Sequence, residues 1–267
     1  MGRLLQERQV WLLLVASGFF FVKGTHHADP GCSMLRKLTS EAVGTAFLLA
    51  TVVGSGIMAE RLAGGNVALA LLANTIATGA GLVALILTFG PLSGAHFNPV
   101  VTIADAWEGG RPWSDVPLYI AAQVGGALLG VAVAHGMFEV PVFTASQHVR
   151  SGPAQLLSEF VATFGLLSVI WGVSRKQAQF TPFAVGAYIT AAYWFTSSTS
   201  FANPAVTLAR SLTNTFSGIR PADAPGFIAA QLAGALAATA LFKFLLPARG
   251  KAERPLVEAA RVGKEAA

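Results

Sequence analysis

The chain has 267 residues and a formal net charge of +5, with 54% hydrophobic and only 12% charged residues, where an ordinary soluble domain carries about 25% charged. The positive charge does not indicate nucleic acid, because the basic residues sit in short clusters between apolar runs, as the positive-inside bias of membrane proteins produces. A single cysteine, Cys32, excludes an intramolecular disulfide framework.

In chain order, residues 1–33 place Arg3 and Arg8 before an apolar run, Val10 to Val22, that is short for a span and resembles a signal-peptide core without a clean cleavage site. Met34, followed by Leu35-Arg36-Lys37 and the first strong span, is an alternative start, so residues 1–33 stand outside the fold argument as an extension. Beyond it, stretches free of Asp, Glu, Lys and Arg predict spans near residues 38–60, 66–89, 116–138, 153–174, 180–196 and 224–246, each close to the ~20 residues that a bilayer core requires. The charge-free stretches beginning at Leu62 and Gln177 are too long for one crossing and too polar near their ends for two. Each holds one crossing plus a segment that enters the membrane without crossing it.

Those two segments contain Asn98-Pro99-Val100 and Asn203-Pro204-Ala205. Asn is favoured as an N-cap, and Pro as first helical residue, where its missing N–H and fixed φ cost nothing. Each motif therefore starts a helix. The first is apolar to about Trp107, roughly 10 residues or ~15 Å, half of a ~30 Å hydrocarbon core. The preceding Gly90-Pro91-Leu92-Ser93-Gly94-Ala95-His96 is turn-rich and is not expected to continue a span; Thr196 to Ala202 stands in the same relation to Asn203. Such backbone cannot face lipid and must line a cavity or be buried in protein. Two half-helices thus point their N-termini at one another, and the partial positive charge there opposes cations, hydrated protons included. The side-chain amides of Asn98 and Asn203 offer donors to a passing oxygen; carbonyls of Gly94, Ala95, His96, Thr199, Ser200 and Phe201 offer acceptors.

The halves repeat. Ser40-Glu41 recurs as Ser158-Glu159, Phe97-Asn98-Pro99-Val100-Val101-Thr102 as Ala202-Asn203-Pro204-Ala205-Val206-Thr207, and Ile120-Ala121-Ala122-Gln123 as Ile228-Ala229-Ala230-Gln231, in the same order with drifting loop lengths. Three spans per half is an odd number, so the second half runs inverted. The expected fold is an all-α membrane protein of six transmembrane helices plus two re-entrant half-helices, with inverted repeats at 34–152 and 153–246 and a cytoplasmic tail at 247–267. Loop charge supports both termini inside a cell membrane: Arg36, Lys37, Arg111, Arg175, Lys176, Arg249, Lys251 and Arg254 would be cytoplasmic, and Arg61, Arg150 and Arg220 external.

The segment Ser93 to Thr102, the second Asn-Pro-Ala, Glu41 and Glu159 opening spans, and Gln123 and Gln231 resemble the major intrinsic protein (aquaporin) family over about residues 38–246. The resemblance implies one pore per subunit for water or small uncharged solutes, usually in a homotetramer. It also implies a structural role for Glu41 and Glu159 as acceptors for the re-entrant backbone, with Gln123 and Gln231 as internal braces and His96 fixing its loop. The sequence departs from the family at Val100, where Ala is usual, and at Val206, where Arg normally narrows the outer filter. Carried over by spacing, the filter positions fall on Thr78, Ser200 and Val206. The fifth-span position is Tyr193 counting forward from Gly186, or Ala191 counting back from Asn203. Such a filter implies broader selectivity, for glycerol-like polyols or metalloid hydroxides. Arg210 lies one turn beyond Val206; a buried ion pair or a headgroup contact is favoured slightly over restored vestibule charge.

Other readings are weaker. A secondary transporter can also use inverted repeats and broken helices but requires a coupling-ion site, and no charged residue sits at mid-span. No Ser-His, paired-Asp or His-Glu-x-x-His arrangement supports an intramembrane enzyme, so no catalytic residue is assigned. His26-His27, His135 and His148 have no metal-ligand spacing, and no metal or other cofactor is expected. Gly79, Gly81, Gly125, Gly126, Gly186 and Gly234 suit close helix packing in lipid.

Overall fold

The computed structural model describes residues 32–246. The signal-like segment and the tail at 247–267 lie outside the described residues. Six long helices are α1 Met34–Leu62, α2 Val67–Ser93, α4 Val116–Phe138, α5 Pro153–Gln177, α6 Thr181–Phe195 and α8 Ala224–Leu245; between them lie two short ones, α3 Pro99–Trp107 and α7 Pro204–Arg210. The run Pro153–Phe195 is 43 residues long, which as one helix would reach ~65 Å, twice the hydrocarbon thickness. A 3₁₀ turn at Ala178–Phe180 divides it into α5 and α6.

The structure corrects two expectations. Helix α2 does not stop at Gly90 but continues through Pro91 to Ser93, and Gly94 closes it with φ 93° and an N–H donated to Gly90 O. Proline disrupts a helix by removing its own N–H bond, and three residues from the end that loss leaves the last turn intact. Gly125, read as a packing glycine, has open space where a side chain would be.

The packing has a two-fold pattern. α1 packs on α2 and α4, and α5 correspondingly on α6 and α8; α2 meets α6; α3 lies against α4 and α8, and α7 against α8 and α4. Because lipid is as apolar as a helix face, association depends on close fit and small residues. A Cβ on Gly126 would stand 2.1 Å from Ala42 O of α1, and one on Gly234 2.5 Å from Phe160 O of α5. These glycines let α4 and α8 approach the first helix of their own half. Inside lie Leu49, Val53, Val131, Leu167 and Phe227, all buried, while Phe47, Leu129 and Phe244 are exposed on the outer surface as lipid-facing residues are.

Gly126→Val and Gly234→Val force these helix pairs apart and are expected to cost about 1–3 kcal/mol or more of overpacking. In detergent, thermal unfolding should fall by roughly 5 °C or more, with Gly125→Ala unchanged as control.

Candidate pore

The half-helices have 9 and 7 residues, too few to be stable alone, so tertiary ties must hold them. Asn98 caps α3, its Oδ1 accepting from Val100 N at 3.1 Å. Asn203 caps α7, accepting from Ala205 N at 3.0 Å and Val206 N at 3.3 Å. Each side-chain amide also crosses to the other half. Asn98 Nδ2 donates to Ala202 O at 2.8 Å, and Asn203 Nδ2 donates to Phe97 O at 2.7 Å. One N–H of each amide therefore joins the halves, and the second is left for the cavity.

The loops entering these caps have unusual backbone. Ala95 and Phe97 in the first, and Thr199, Ser200 and Ala202 in the second, have φ between 47° and 60°, the left-handed region, which costs a non-glycine residue about 1–2 kcal/mol. Two buried carboxylates hold them there. Glu41 accepts four hydrogen bonds, from Ser93 Oγ at 2.6 Å, His96 N at 3.0 Å, Phe97 N at 2.7 Å and Gln123 Nε2 at 2.8 Å. Glu159 accepts from Phe201 N at 2.9 Å, Ala202 N at 2.9 Å and Gln231 Nε2 at 2.6 Å. With the amide hydrogens turned toward the carboxylates, loop carbonyls are free to face the other way.

A threonine completes each set. Gln123 Nε2 also donates to Thr102 Oγ1 at 2.9 Å, as Gln231 Nε2 does to Thr207 Oγ1 at 2.9 Å. Those hydroxyls donate to Asn98 O at 3.1 Å and Asn203 O at 2.9 Å. Sequence reasoning quoted both threonines in the repeat without a role; their recurrence four residues after the capping Asn was the available signal. His96 braces the first loop. Its Nδ1 lies 3.0 Å from Thr102 Oγ1 and its Nε2 3.3 Å from an Arg111 nitrogen. Since Thr102 already donates to Asn98 and Arg111 can only donate, the neutral Nδ1–H tautomer satisfies both contacts.

Three further ties were not legible in sequence. Arg111 pairs with Asp105 at 2.9 Å and stacks 3.7 Å from the Tyr119 ring centre. Glu108, at the end of α3, pairs with Arg175 of α5 and with Lys243 of α8 at 3.4 Å. Arg150 donates to Gly218 O at 2.8 Å and Ser198 O at 3.2 Å; burial pushes its guanidinium below the ordinary arginine value, opposed by Glu159 and Tyr193.

These elements surround a cavity of about 780 Å³. Its lining includes Asp105, Glu108 and Arg175, the capping Asn98 and Asn203, and Tyr193, Ser200, Val206 and Arg210. Thr78, Tyr193, Ser200 and Val206 all line it, and Tyr193 donates to Thr78 Oγ1 at 3.3 Å. Ala191 is exposed on the far side of α6 and does not. Gly94, Ala95, His96, Ser200 and Phe201 line the cavity, but Thr199 does not. Val100, Pro99, Pro204 and Ala205 are buried behind the caps. Arg210 does not form the expected ion pair: among the described residues no carboxylate lies within 4.0 Å of it, and its Nε donates to Ser217 O.

A family model described as Major intrinsic protein matches residues 30–200 and 178–264. The chain belongs to the major intrinsic protein family. It is 58% identical over 217 residues to the aquaglyceroporin AqpS of Rhizobium meliloti (strain 1021), covering 81% of this chain and 93% of that protein. With the probable aquaporin NIP7-1 of Arabidopsis thaliana it shares 34% identity over 167 residues, 61% of this chain and 60% of the plant protein. Among solved structures, the aquaglyceroporin from Plasmodium falciparum aligns with TM-score 0.58 at 22% identity, over 85% of this chain and all of that one, and this likeness shows the fold. As a major intrinsic protein the chain is a passive channel for water and small uncharged solutes, not an enzyme. Glu41 and Glu159 leave no free carboxylate for a coupling ion, since each is taken up by backbone and glutamine donors.

Glu41→Gln and Glu159→Gln keep the shape but turn an amide donor toward backbone donors. Hydrogen bonds to charged groups contribute about 1.5–3 kcal/mol each, so both variants should unfold at markedly lower temperature and lose solute flux. Full stability and flux in both would refute the anchoring role.

Proposed function

We propose that this channel is a broad pore, passing glycerol-sized polyols as well as water while excluding protons and cations, with Thr78, Tyr193, Ser200 and Val206 as its outer filter. The observation that carries the reading is Val206. At the position directly following the second Asn-Pro-Ala it lines the cavity with an apolar side chain and no charge. Its neighbours contribute three hydroxyls, those of Thr78, Tyr193 and Ser200, and the Ser200 Oγ is buried without a protein partner. A polyol matches that lining, since each hydroxyl both donates and accepts. Trivalent arsenic hydroxide presents the same three-hydroxyl chemistry and is the second solute the filter suits. The aquaglyceroporin name of the Rhizobium meliloti relative agrees with a polyol-conducting pore.

Cation exclusion is assigned to the two Asn-capped helix starts near the midplane, whose N–H dipoles raise the local potential. Asn98, Pro99, Val100, Asn203, Pro204 and Ala205 form that central station, and Glu41, Glu159, His96, Gln123 and Gln231 support it. The two inverted halves are residues 34–152 and 153–246. Both termini are placed in the cytoplasm on the charge bias of the loops, and the assembly is proposed as a homotetramer in the cell membrane with one pore per subunit.

Stopped-flow light scattering of proteoliposomes tests the reading. Under sucrose the vesicles should shrink and stay shrunken; under glycerol, urea or trivalent arsenic hydroxide they should shrink and reswell faster than empty liposomes. Val206→Arg should cut the glycerol and urea rates by about 10-fold or more, the weight of ~1.4 kcal/mol, while water shrinkage persists. Unchanged rates for water and the larger solutes alike would refute the filter.

A further inference from the structure

We propose that Arg210 is the specificity-determining cation of the outer pore, displaced one helical turn beyond Val206, so that size and charge are selected at separate levels. The inference rests on the filter reading above. Val206 and Arg210 are four residues apart on α7, hence on one helix face about 6 Å apart along its axis. Both line the same cavity. Arg210 is only 2% exposed, and no carboxylate among the described residues lies within 4.0 Å of it.

Its geometry fixes how it presents. The guanidinium carbon lies 3.4 Å from the centre of the Phe201 ring, and Nε is taken by Ser217 O. One face and one edge are thereby occupied. Among the described residues, neither Nη nitrogen has a protein acceptor. Arg210 itself lines the cavity. A guanidinium has no acceptor and cannot lose its charge under ordinary conditions. Arg210 therefore favours solutes whose oxygens accept hydrogen bonds, hydroxyl or carbonyl, and repels cations in a medium where charge is weakly screened.

Phe201 has a second guanidinium near it. Arg150 stands 5.1 Å from the ring centre but does not line the cavity; its nitrogens hold Ser198 O and Gly218 O, and its backbone N–H donates to Asp223 at 2.9 Å. Arg150 positions the loop that carries Phe201, and Phe201 positions Arg210. The pore keeps a fixed positive charge without the bulk that an arginine at position 206 would place in the constriction.

The test reads sodium tracer influx and glycerol reswelling in the same full-length proteoliposomes for wild type, Arg210→Gln, Arg210→Lys and Arg210→Gln/Val206→Arg. Arg210→Gln should raise sodium influx about 10-fold or more, as loss of a fixed charge in a weakly screening pore requires, with glycerol reswelling slowed but still faster than in empty liposomes. Arg210→Lys should stay sodium-tight at pH 7, and the double variant should regain tightness while losing glycerol flux. Sodium influx unchanged in a folded Arg210→Gln protein overturns the proposal, as does loss of glycerol flux without sodium entry, which marks a merely structural residue. A wild type that passes neither water nor glycerol instead sinks the pore reading beneath it. If Arg210→Gln does not fold, the lysine variant decides. The groups facing this position are Tyr193 on α6, Arg150 in the loop before α5 and Glu159 on α5. A buried ammonium releases its proton more readily than a guanidinium, so sodium entry in Arg210→Lys should rise from pH 7 to 9 while wild type stays tight. Sodium entry that is flat with pH overturns the proposal.

Discussion

A buried carboxylate is tolerated only where hydrogen bonds replace its water, and Glu41 and Glu159 meet that condition with backbone N–H groups that have no helix to satisfy them. The exchange works in both directions. Irregular backbone inside a membrane would leave unpaired amides, and the carboxylates accept from the residues that most need a partner, His96 and Phe97 in one loop and Phe201 and Ala202 in the other. Positive φ at Ala95, Phe97, Ser200 and Ala202 follows, because the chain must turn amides inward on one side and carbonyls outward on the other. Loop strain and the polar cavity wall both depend on these two anions.

The halves are joined by reciprocal use of the same residue type. Asn98 and Asn203 each cap their own short helix with Oδ1 and reach across with Nδ2 to the opposite loop carbonyl. A cap alone stabilises a helix by about 1 kcal/mol, too little to fix helices of 9 and 7 residues. The cross-ties, the glutamine-threonine braces and the ion pairs of Glu108 supply the remainder. Position in the pore is thus set by a network in which each half depends on the other.

The fold was legible because its causes are local in sequence. Charge-free runs marked the spans, Asn-Pro marked the helix starts, and the paired recurrence of Glu, Asn-Pro and Gln marked the repeat. Spacing along one helix placed Val206 and Arg210 on one face, and both line the cavity, although the ion pair expected of Arg210 does not form. The site was not legible where partners come from distant segments. Arg111 with Asp105 and Tyr119, Arg175 and Lys243 with Glu108, and Arg150 with Ser198 and Gly218 are meetings of loops and helix ends that no periodicity encodes. The length of α2 shows a different limit: Pro91 signals a break, but one missing hydrogen bond near the end of a long helix does not stop the last turn. Counting could not separate Tyr193 from Ala191 because the connecting loop is about two residues short; in the structure Tyr193 lines the cavity and Ala191 is exposed.

The departure at Val206 changes the physical problem that the outer pore must solve. An arginine in the constriction couples two properties, since its bulk narrows the path and its charge repels cations; relaxing one relaxes the other. Moving the guanidinium to Arg210 uncouples them, because one turn outward the cavity wall can hold the side chain flat against Phe201 instead of across the path. On the filter proposed here, the constriction is bounded by Val206 and by hydroxyls, which set width and hydrogen-bond order, while charge acts over a longer range from the vestibule. Among the described residues no carboxylate lies within 4.0 Å of Arg210, and the Glu159 that faces it is balanced by Arg150. Width can therefore change in such a pore by substitution at position 206 without surrendering the barrier to cations, and that separation is the physical condition for a channel that admits larger neutral solutes and still holds a membrane potential.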